Sequence, residues 1–366
     1  MATRSRSGLP RRIVVTGASG NAGTALLSRL AAHPEQPDIV AIARRIPPAR
    51  DPYVGVTWCA LDIADPDAEH VLTPIFAGAD AVVHLVWGFQ PSHRRDYLHR
   101  VGVDGTRAVM TAAAAAGVRH VVHMSSAAVY SAGAYGREVD ESWSRDGVPT
   151  CVYSVDKVDA ERFLDDFEKD PNAPVVTRFR PGFIGQSVAG PGLERYVLPE
   201  FVPSAITKHL PVMPIDRSLA VPAVHSDDVA RASIAALERR APGPFNLAAP
   251  TPVGAADFAA PFGCPTVPMP WRSLSAVAEA TWRLRLQPVQ GGWIDLAYNC
   301  PMLDCGRARE ELGWSPVHDG PEVWSETVHG MQEGTGTGSP VLSVRTARER
   351  LAALVERGPI DRRIPS

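Results

Sequence analysis

The feature that most constrains this chain is a glycine-rich segment between an apolar run and a helical pattern. Residues 16–23 read TGASGNAG, with Gly17, Gly20 and Gly23 spaced three apart. Glycine permits a tight turn and lets the backbone approach a ligand closely, and a helix N-terminus favours anions. Directly after a strand and at the start of a helix, this pattern predicts a dinucleotide-binding turn. The alternative interpretation is an ordinary glycine-rich turn between a strand and a helix.

Short apolar runs alternate with helical stretches through the first half of the chain. The predicted strands cover 12–16, 38–43, 54–61, 79–86, 118–125 and 175–180. The predicted helices cover 23–32, 97–116 and 153–167. Apolar strands that alternate with helices indicate a parallel sheet buried on both faces. The predicted fold class is therefore α/β, a Rossmann-type doubly wound parallel sheet with a smaller C-terminal substrate-binding cap.

The pattern loosens after Pro181, where proline and glycine become frequent. We expect short returning strands at 222–225 and 245–248, with a helix over 227–239 between them. The expected division of the chain is a disordered tail over 1–10, a dinucleotide-binding domain over 11–181 to which 216–250 returns, a cap over 182–215 and 251–330, and a linker with a C-terminal helix over 331–366. The linker prediction depends on the run GTGTGS at 334–339, whose composition is typical of flexible segments.

Composition excludes several classes of protein. The chain has 366 residues, 45% of them hydrophobic, and a net charge of −3, which does not favour binding to a polyanion such as nucleic acid. Long apolar runs of the kind that span a membrane are absent. The five cysteines are odd in number and show no CxxC spacing, which predicts free thiols in a reducing cytoplasm. The spacing of the histidines matches no metal site, and we expect none.

The second predicted strand bears on which dinucleotide would bind. In NAD sites this strand usually ends in an acidic residue that accepts from the ribose hydroxyls. Here it ends in Ala43, Arg44 and Arg45. An arginine at that position can pair with a 2′-phosphate, so NADP is favoured over NAD. The alternative is that both arginines are solvated charges at a strand end.

Tyr153 and Lys157 stand four residues apart in a predicted helix and therefore share one of its faces. A nearby ammonium stabilises a phenolate and is expected to lower the pKa of the tyrosine. Such a tyrosine can exchange a proton with a hydroxyl or carbonyl oxygen. Ser126 follows the fifth predicted strand, where its hydroxyl is placed to bind the same oxygen. The three residues together predict a catalytic set, and an amphipathic helix face is the alternative.

These segments together resemble the extended short-chain dehydrogenases/reductases of the NAD-dependent epimerase/dehydratase type over most of 11–320. The segments that carry the resemblance are TGxxGxxG at 16–23, Asp62-Ile63, Val103-Asp104-Gly105-Thr106, Ser125-Ser126 with Val129-Tyr130, YxxxK at 153–157, Arg180-Pro181-Gly182, Val224-His225-Ser226-Asp227-Asp228 and Leu312-Gly313-Trp314. The resemblance implies Ser126, Tyr153 and Lys157 as catalytic residues. The implied cofactor-binding residues are Gly17, Ser19, Gly20, Asn21, Ala22, Gly23, Arg44, Arg45, Asp62, Ile63, Val86, Trp87, Lys157 and Pro181.

Three departures from the family pattern are informative. Trp87 follows the fourth strand, where the family usually has small residues. Gly102 replaces the asparagine of the family's NVxGT segment. Ala127 and Ala128 stand where the sugar 4,6-dehydratases carry acidic residues after the threonine, so we expect that the chain is not a 4,6-dehydratase.

The resemblance implies an NAD(P)-dependent oxidoreductase that transfers a hydride between nicotinamide and a carbonyl or secondary alcohol of a small molecule. Two alternatives remain: a nucleotide-sugar epimerase, in which the hydride transfer is transient, and a non-catalytic regulator that only binds the cofactor. The family resemblance further implies a homodimer in which the helices at 97–116 and 153–167 pack against the same helices of the second copy.

Overall fold

The computed structural model describes residues 8–88, 93–133, 135–199 and 202–357. The strands are β1 (Arg12–Thr16), β2 (Asp38–Ala43), β3 (Thr57–Ala60), β4 (Ala81–His84), β5 (His120–Met124), β6 (Glu138–Val139), β7 (Val175–Pro181), β8 (Phe183–Gly185), β9 (Met213–Ile215), β10 (Ala220–Val221), β11 (Ala223–His225), β12 (Gly243–Leu247), β13 (Val253–Gly254), β14 (Thr266–Pro268) and β15 (Met302–Leu303). The α-helices are α1 (Asn21–Ala31), α2 (Ala68–Phe76), α3 (Arg95–His99), α4 (Gly105–Ala115), α5 (Val152–Phe167), α6 (Gly190–Val197), α7 (Ser226–Arg239), α8 (Ala255–Ala259), α9 (Trp271–Arg283), α10 (Gly291–Ala297), α11 (Gly306–Leu312), α12 (Gly320–Glu333) and α13 (Ala347–Arg357).

Seven strands form one parallel sheet in the order β12-β7-β5-β4-β1-β2-β3. From β1 the chain first adds β2 and β3 on one side and then adds the other strands on the opposite side. The order therefore reverses between β1 and β4, and a crevice opens at the carboxyl ends of strands at such a point. The predicted doubly wound parallel sheet is confirmed.

Alternate residues of the central strands enter two different cores. Ile13 and Val15 pack with α1 and α7 on one face, whereas Val14 packs with α2 and α4 on the other. All three side chains are fully buried. Because both faces of the sheet are covered, the strands are apolar throughout, which explains why their sequences lack a simple alternation.

Residues after Pro181 only partly leave the sheet. Strand β12 pairs with β7 at the sheet edge, and α7 packs against α1, so the segment 216–250 contributes to the nucleotide-binding half. The segments 182–215 and 251–330, predicted as the cap, contain α6, α8, α9, α10 and short strand pairs outside the sheet. Their role in substrate binding remains a prediction.

The predicted flexible linker is wrong for much of its length. Helix α12 continues to Glu333 and ends at Gly334, whose φ of +69° suits glycine. Ser339 is fully buried and Leu342 is 3% exposed. Glycine and threonine composition predicts flexibility only where nothing packs on the segment, and here the segment lies against the glycine turn. The predicted C-terminal helix corresponds to α13, and residues 358–366 lie outside the described part of the chain.

The predicted N-terminal tail also needs correction. Residues 1–7 lie outside the described part of the chain. Leu9, however, is buried, and its amide donates to the carboxylate of Glu35 at 2.9 Å. The ordered domain therefore begins before residue 11.

The five cysteines are free, as predicted. Among the described residues, none of the helices combines the length and apolarity needed to cross a bilayer.

Candidate active site

The glycine turn lies between β1 and α1, where its backbone is too crowded for side chains. Gly17 has a φ of +73°, and a Cβ there would lie 2.8 Å from the amide nitrogen of Val86. A Cβ at Gly23 would lie 2.4 Å from the carbonyl oxygen of Gly17. Only glycine fits both positions without moving backbone. Gly20 caps α1 with extended backbone and no side-chain hydrogen bond.

A cavity of about 530 Å³ extends from this turn along the carboxyl edge of the sheet. It reaches Arg44 and Asp62 at one end and Tyr153 at the other. Every residue predicted to bind substrate or cofactor lines it except Gly23, which instead packs against the turn. The sheet topology is the cause, because residues after β1, β2, β4, β5 and β7 meet at one edge.

The turn fits the pyrophosphate of a dinucleotide. Asn21 and Ala22, in the first turn of α1, line the cavity, so the positive end of the helix points to it. The side chain of Asn21 is engaged elsewhere: it donates to Ile184 O at 2.9 Å and accepts from Gln186 and Ser226. Asp62 is the one carboxylate among the described lining residues, and it belongs to the group with Arg44 at the far end.

Arg44 lies beside Asp62 and Tyr97 at the end of β2. Its guanidinium donates to the Tyr97 hydroxyl and lies 3.7 Å from an Asp62 carboxylate oxygen. The Tyr97 hydroxyl in turn donates to Asp62 at 3.2 Å. The sequence predicted that Arg44 pairs with a 2′-phosphate, and the family resemblance implied only that Asp62 binds the cofactor. The structure brings them together at one end of the cavity, where a nucleoside would find both a cation and hydrogen-bond acceptors.

Tyr153, Lys157 and Ser126 meet at the other end of the cavity. Helix α5 carries Tyr153 and Lys157 one turn apart, and Ser126 follows β5. The Ser126 hydroxyl hydrogen-bonds the phenol of Tyr153 and accepts from the amide of Ala128 at 3.1 Å. The Lys157 ammonium donates to Met124 O at 2.7 Å. A hydroxyl, a phenol and an ammonium therefore converge on one wall.

Burial is the largest cause of the pKa shifts of Tyr153 and Lys157. It raises the pKa of the Tyr153 phenol, against a smaller lowering by the hydrogen bond from Ser126. Burial also brings the pKa of Lys157 well below its usual value. The expectation that Lys157 lowers the tyrosine pKa is therefore wrong for this structure, because desolvation of the phenol is the largest cause of the shift and raises the pKa. Tyr153 is a neutral phenol, the form that can donate a proton.

Trp87 and Gly102 are two departures from the family pattern that have one physical cause. The Trp87 indole lies over the Lys157 ammonium, which is 3.5 Å from the ring centroid, a cation–π contact. A Cβ at residue 102 would lie 2.8 Å from Cζ2 of Trp87. The glycine therefore makes room for the indole. Gly102 belongs to a π-helical turn, Arg100–Asp104, between α3 and α4, and such turns are frequent at functional sites.

Sequence reasoning missed the C-terminal wall of the cavity. Pro340, Val341 and Leu342 line it. The Ser339 hydroxyl donates to Ser19 O at 2.6 Å, within the glycine turn. Arg195 on α6 donates to Val341 O and, at 3.2 Å, to Ser343 O. We call residues 339–343 the C-terminal strap. The sequence of the C-terminal strap contains no periodicity or motif that would have predicted this position, because its contacts are with residues far away in the chain.

Helices α6 and α10 form a further wall that the sequence did not reveal. Leu193 and Tyr196 come from α6, and Trp293, Leu296 and Ala297 come from α10. Trp293 packs on Tyr153, with ring centroids 5.1 Å apart and planes 30° apart. Trp87 meets Tyr153 edge-on, with ring centroids 6.2 Å apart. The phenol ring therefore contacts two indoles.

Comparison with solved structures gives the same fold. MoeE5 in complex with UDP-glucuronic acid and NAD is 20% identical, with 88% of this chain and 99% of that chain covered and a TM-score of 0.65. UDP-glucose-4-epimerase from Stenotrophomonas maltophila, with bound NAD and formylated UDP-arabinopyranose, is 19% identical, with 88% and 98% covered and a TM-score of 0.65. UDP-glucose 4-epimerase from Thermus thermophilus, in complex with NAD, is 18% identical, with 88% and 99% covered and a TM-score of 0.65.

Comparison of sequences identifies the family. A search of curated protein sequences found no match. The model of the NAD dependent epimerase/dehydratase family matches residues 13–248, which is more than half of the chain and spans the glycine turn, Ser126, Tyr153 and Lys157. The resemblance inferred from the motifs is thereby confirmed, and the protein is an enzyme that belongs to the NAD dependent epimerase/dehydratase family.

Proposed function

We propose that the protein is an NAD(P)-dependent reductase or dehydrogenase that acts on a carbonyl or secondary alcohol of a small molecule. The observation that carries the proposal is the convergence of Tyr153, Ser126 and Lys157 in the cavity that also contains the glycine turn. When bound, the nicotinamide supplies or accepts the hydride. Tyr153 gives the proton to the substrate oxygen in reduction and takes it back in oxidation, while Ser126 orients that oxygen. Lys157 holds the nicotinamide ribose.

The protonation of Tyr153 matches the form of the residue that carbonyl reduction requires. Burial raises the pKa of the phenol, so it remains protonated through the neutral range. A neutral phenol is a proton donor, and carbonyl reduction needs a donor. Reduction and epimerisation share the same residues, and they differ in whether the cofactor is consumed.

The residues after Ser126 argue against water elimination of the 4,6-dehydratase type. Ala127 and Ala128 line the cavity beside Ser126 and carry no titratable group. Asp62 carries the only carboxylate among the described lining residues, and it lies at the opposite end of the cavity from Ser126. Elimination of water by the sugar dehydratases requires an acid and a base beside the substrate carbon. The proposed reaction is therefore limited to hydride transfer.

Isotope transfer tests this function. The enzyme is incubated with NADPH deuterated at C4, in separate samples for each face, and with a panel of carbonyl compounds. We expect one of the two labels to appear at the carbinol carbon of the product, with equal loss of nicotinamide absorbance. Racemisation of a chiral alcohol without net loss of absorbance would establish the epimerase instead. A cofactor that binds but gives no label to any member of the panel, with no change in configuration, would reject both.

Arg44 provides a prediction about the cofactor. We propose NADP as the preferred dinucleotide, because the Arg44 guanidinium lies at the nucleoside end of the cavity. Replacement by alanine should raise the KM for NADPH about 10- to 100-fold, the effect of one charge-assisted hydrogen-bonded pair, and leave that for NADH nearly unchanged. Initial rates with the two cofactors measure this. Arg50→Ala removes an exposed arginine outside the cavity and serves as the control. An equal change for both cofactors would contradict the assignment.

A further inference from the structure

The cap side of the cavity is apolar around Tyr153. Leu193 on α6 and Trp293, Leu296 and Ala297 on α10 line it. Cys300, immediately beyond α10, lines it too, and burial raises the pKa of its thiol to about 12, so the thiol is neutral. These side chains exclude water from the substrate oxygen while offering little hydrogen bonding to the rest of the molecule.

Charged side chains are confined to other parts of the cavity. Among the described residues that line it, Arg44, Arg45 and Asp62 lie at the nucleoside end, and Lys157 is buried at the catalytic wall under the Trp87 indole. Lys157 is therefore the one cation near Tyr153 among the described lining residues, and the proposed reaction uses it for the nicotinamide ribose.

Three arginines of the cap are engaged elsewhere. Arg195 donates both of its terminal nitrogens to carbonyl oxygens of the C-terminal strap. Arg283 forms an ion pair with Glu279 on the exposed side of α9. Arg272 lies over the Trp271 ring, 5.4 Å from its centroid. A nucleoside diphosphate carries two negative charges, and burying them without cations or hydrogen-bond donors is strongly unfavourable. The wall is thus poorly suited to a nucleotide-linked sugar.

The two indoles suggest which group the wall accepts. Trp293 and Trp87 both contact the Tyr153 ring, with ring-centroid distances of 5.1 Å and 6.2 Å. A flat apolar group next to the reacting carbon gains both burial of apolar area and ring–ring contact in this place. Gly102 makes this arrangement possible by leaving space for Trp87.

On this basis, and resting on the hydride transfer proposed above, we infer that the substrate is an uncharged, largely apolar carbonyl compound or secondary alcohol that carries an aromatic ring. The wall formed by Leu193, Trp293, Leu296 and Ala297 receives the ring, and the substrate oxygen faces Tyr153 and Ser126. None of the described cap residues that line the cavity carries a charge that would neutralise a phosphate or carboxylate on the substrate.

A matched panel tests the inference with the intact enzyme. Benzaldehyde and acetophenone are compared with their 4-carboxy derivatives, with cyclohexanecarboxaldehyde, and with UDP-glucose and UDP-N-acetylglucosamine. We expect kcat/KM for each neutral aromatic compound to exceed that of its carboxylated partner by about 100-fold or more, the effect of an unpaired charge in an apolar site. UDP-sugars should give no turnover and should not inhibit. Turnover of a UDP-sugar above the neutral aromatic compounds would overturn the inference.

Binding separates this inference from the proposed function. Quenching of tryptophan fluorescence, in the presence of cofactor, reports ligands beside Trp87 and Trp293 without requiring turnover. Neutral aromatic compounds that bind but receive no hydride would leave the substrate class standing and reject the reaction. Hydride transfer to UDP-sugars alone would support the reaction and reject the substrate class. If no neutral aromatic compound binds or reacts, the inference is also wrong.

A charge introduced into the wall gives an independent test. Ala297→Lys places an ammonium on α10, and Ala297→Met adds a chain of similar length without charge. We expect the lysine variant to improve the ratio of kcat/KM for the 4-carboxy compound over the neutral one about 10-fold relative to the methionine variant. An unchanged ratio, with both variants folded by circular dichroism, would place the substrate ring elsewhere and overturn the assignment of this wall.

Discussion

Replacing Tyr153 by phenylalanine should lower kcat for carbonyl reduction about 10²- to 10⁴-fold while leaving the Kd of the cofactor unchanged. The magnitude is that of a single positioned proton donor. The aromatic ring, which contacts Trp87 and Trp293, is retained, so the cavity should keep its shape. Stopped-flow absorbance of the reduced nicotinamide measures the rate, and fluorescence titration measures cofactor binding. Tyr298→Phe, which alters a tyrosine outside the cavity, should change kcat less than about twofold.

The pH dependence offers a second measurement on the same residue. Because burial raises the pKa of the Tyr153 phenol, the donor form persists from acid through neutral pH. The reduction rate should be flat over this range and fall only in alkali, whereas alcohol oxidation, which needs the phenolate, should rise with pH. Tyr153→Phe should abolish both dependences. A reduction rate that declines between pH 6 and 8 would contradict the assignment of the proton to this residue.

Replacing Glu161 by leucine should lower the free energy of unfolding by about 3–5 kcal/mol, the effect of breaking a buried ion pair. Glu161 and Arg180 are 1% and 2% exposed, and two Arg180 nitrogens donate to the carboxylate at 2.6 and 2.8 Å. Ser125 and Arg145 also donate to it. The leucine variant leaves Arg180 buried without its counter-charge. Urea unfolding followed by circular dichroism measures the loss.

Two comparisons make this prediction specific. The double variant Glu161→Leu/Arg180→Leu removes both charges and should recover part of the lost stability. Arg162→Leu removes a 62% exposed arginine of the same helix and should cost less than about 0.5 kcal/mol. Equal losses for Arg162→Leu and Glu161→Leu would show that the buried network is not the cause.

Acid should weaken the same network. Burial alone would raise the pKa of Glu161, but the hydrogen bonds and charge of Arg180 hold it below the usual value of 4.5. A carboxyl group whose pKa is lower in the folded state stabilises the fold above its unfolded pKa. That contribution is lost as the pH falls through the folded pKa. The stability difference between the wild type and Glu161→Leu should therefore shrink below about pH 4.5.

The sequence predicted the sheet more completely than it predicted the walls of the cavity. Strands β1 and β2 have the predicted bounds because their signal is local: a buried apolar run between turn residues. The third strand is shorter than predicted, Thr57–Ala60 in place of 54–61, because the chain still turns at Gly55, where φ is +74°. The three candidate catalytic residues could also be predicted from the sequence, since Ser126 follows a strand and Tyr153 and Lys157 share a helix face.

Long-range contacts account for what the sequence did not show. The helix predicted over 97–116 is interrupted by the π-helical turn Arg100–Asp104, where the Thr106 hydroxyl donates to Gly102 O at 2.6 Å and Trp87 takes the space above. The Arg180 of the family-like RPG segment was recognised, but its partner Glu161 lies on another element. A pattern within one segment carries no information about such a partner.

The hydrogen bond from Ser339 to Ser19 joins residues 320 positions apart. A chain still emerging from the ribosome would have its first β–α unit long before the segment that covers it. The glycine turn therefore gains this contact only after residue 339 has been synthesised, since loop closure over such a distance must await both ends. The wall that Ser339 adds to the cavity is thus completed later than the first β–α unit on which it rests.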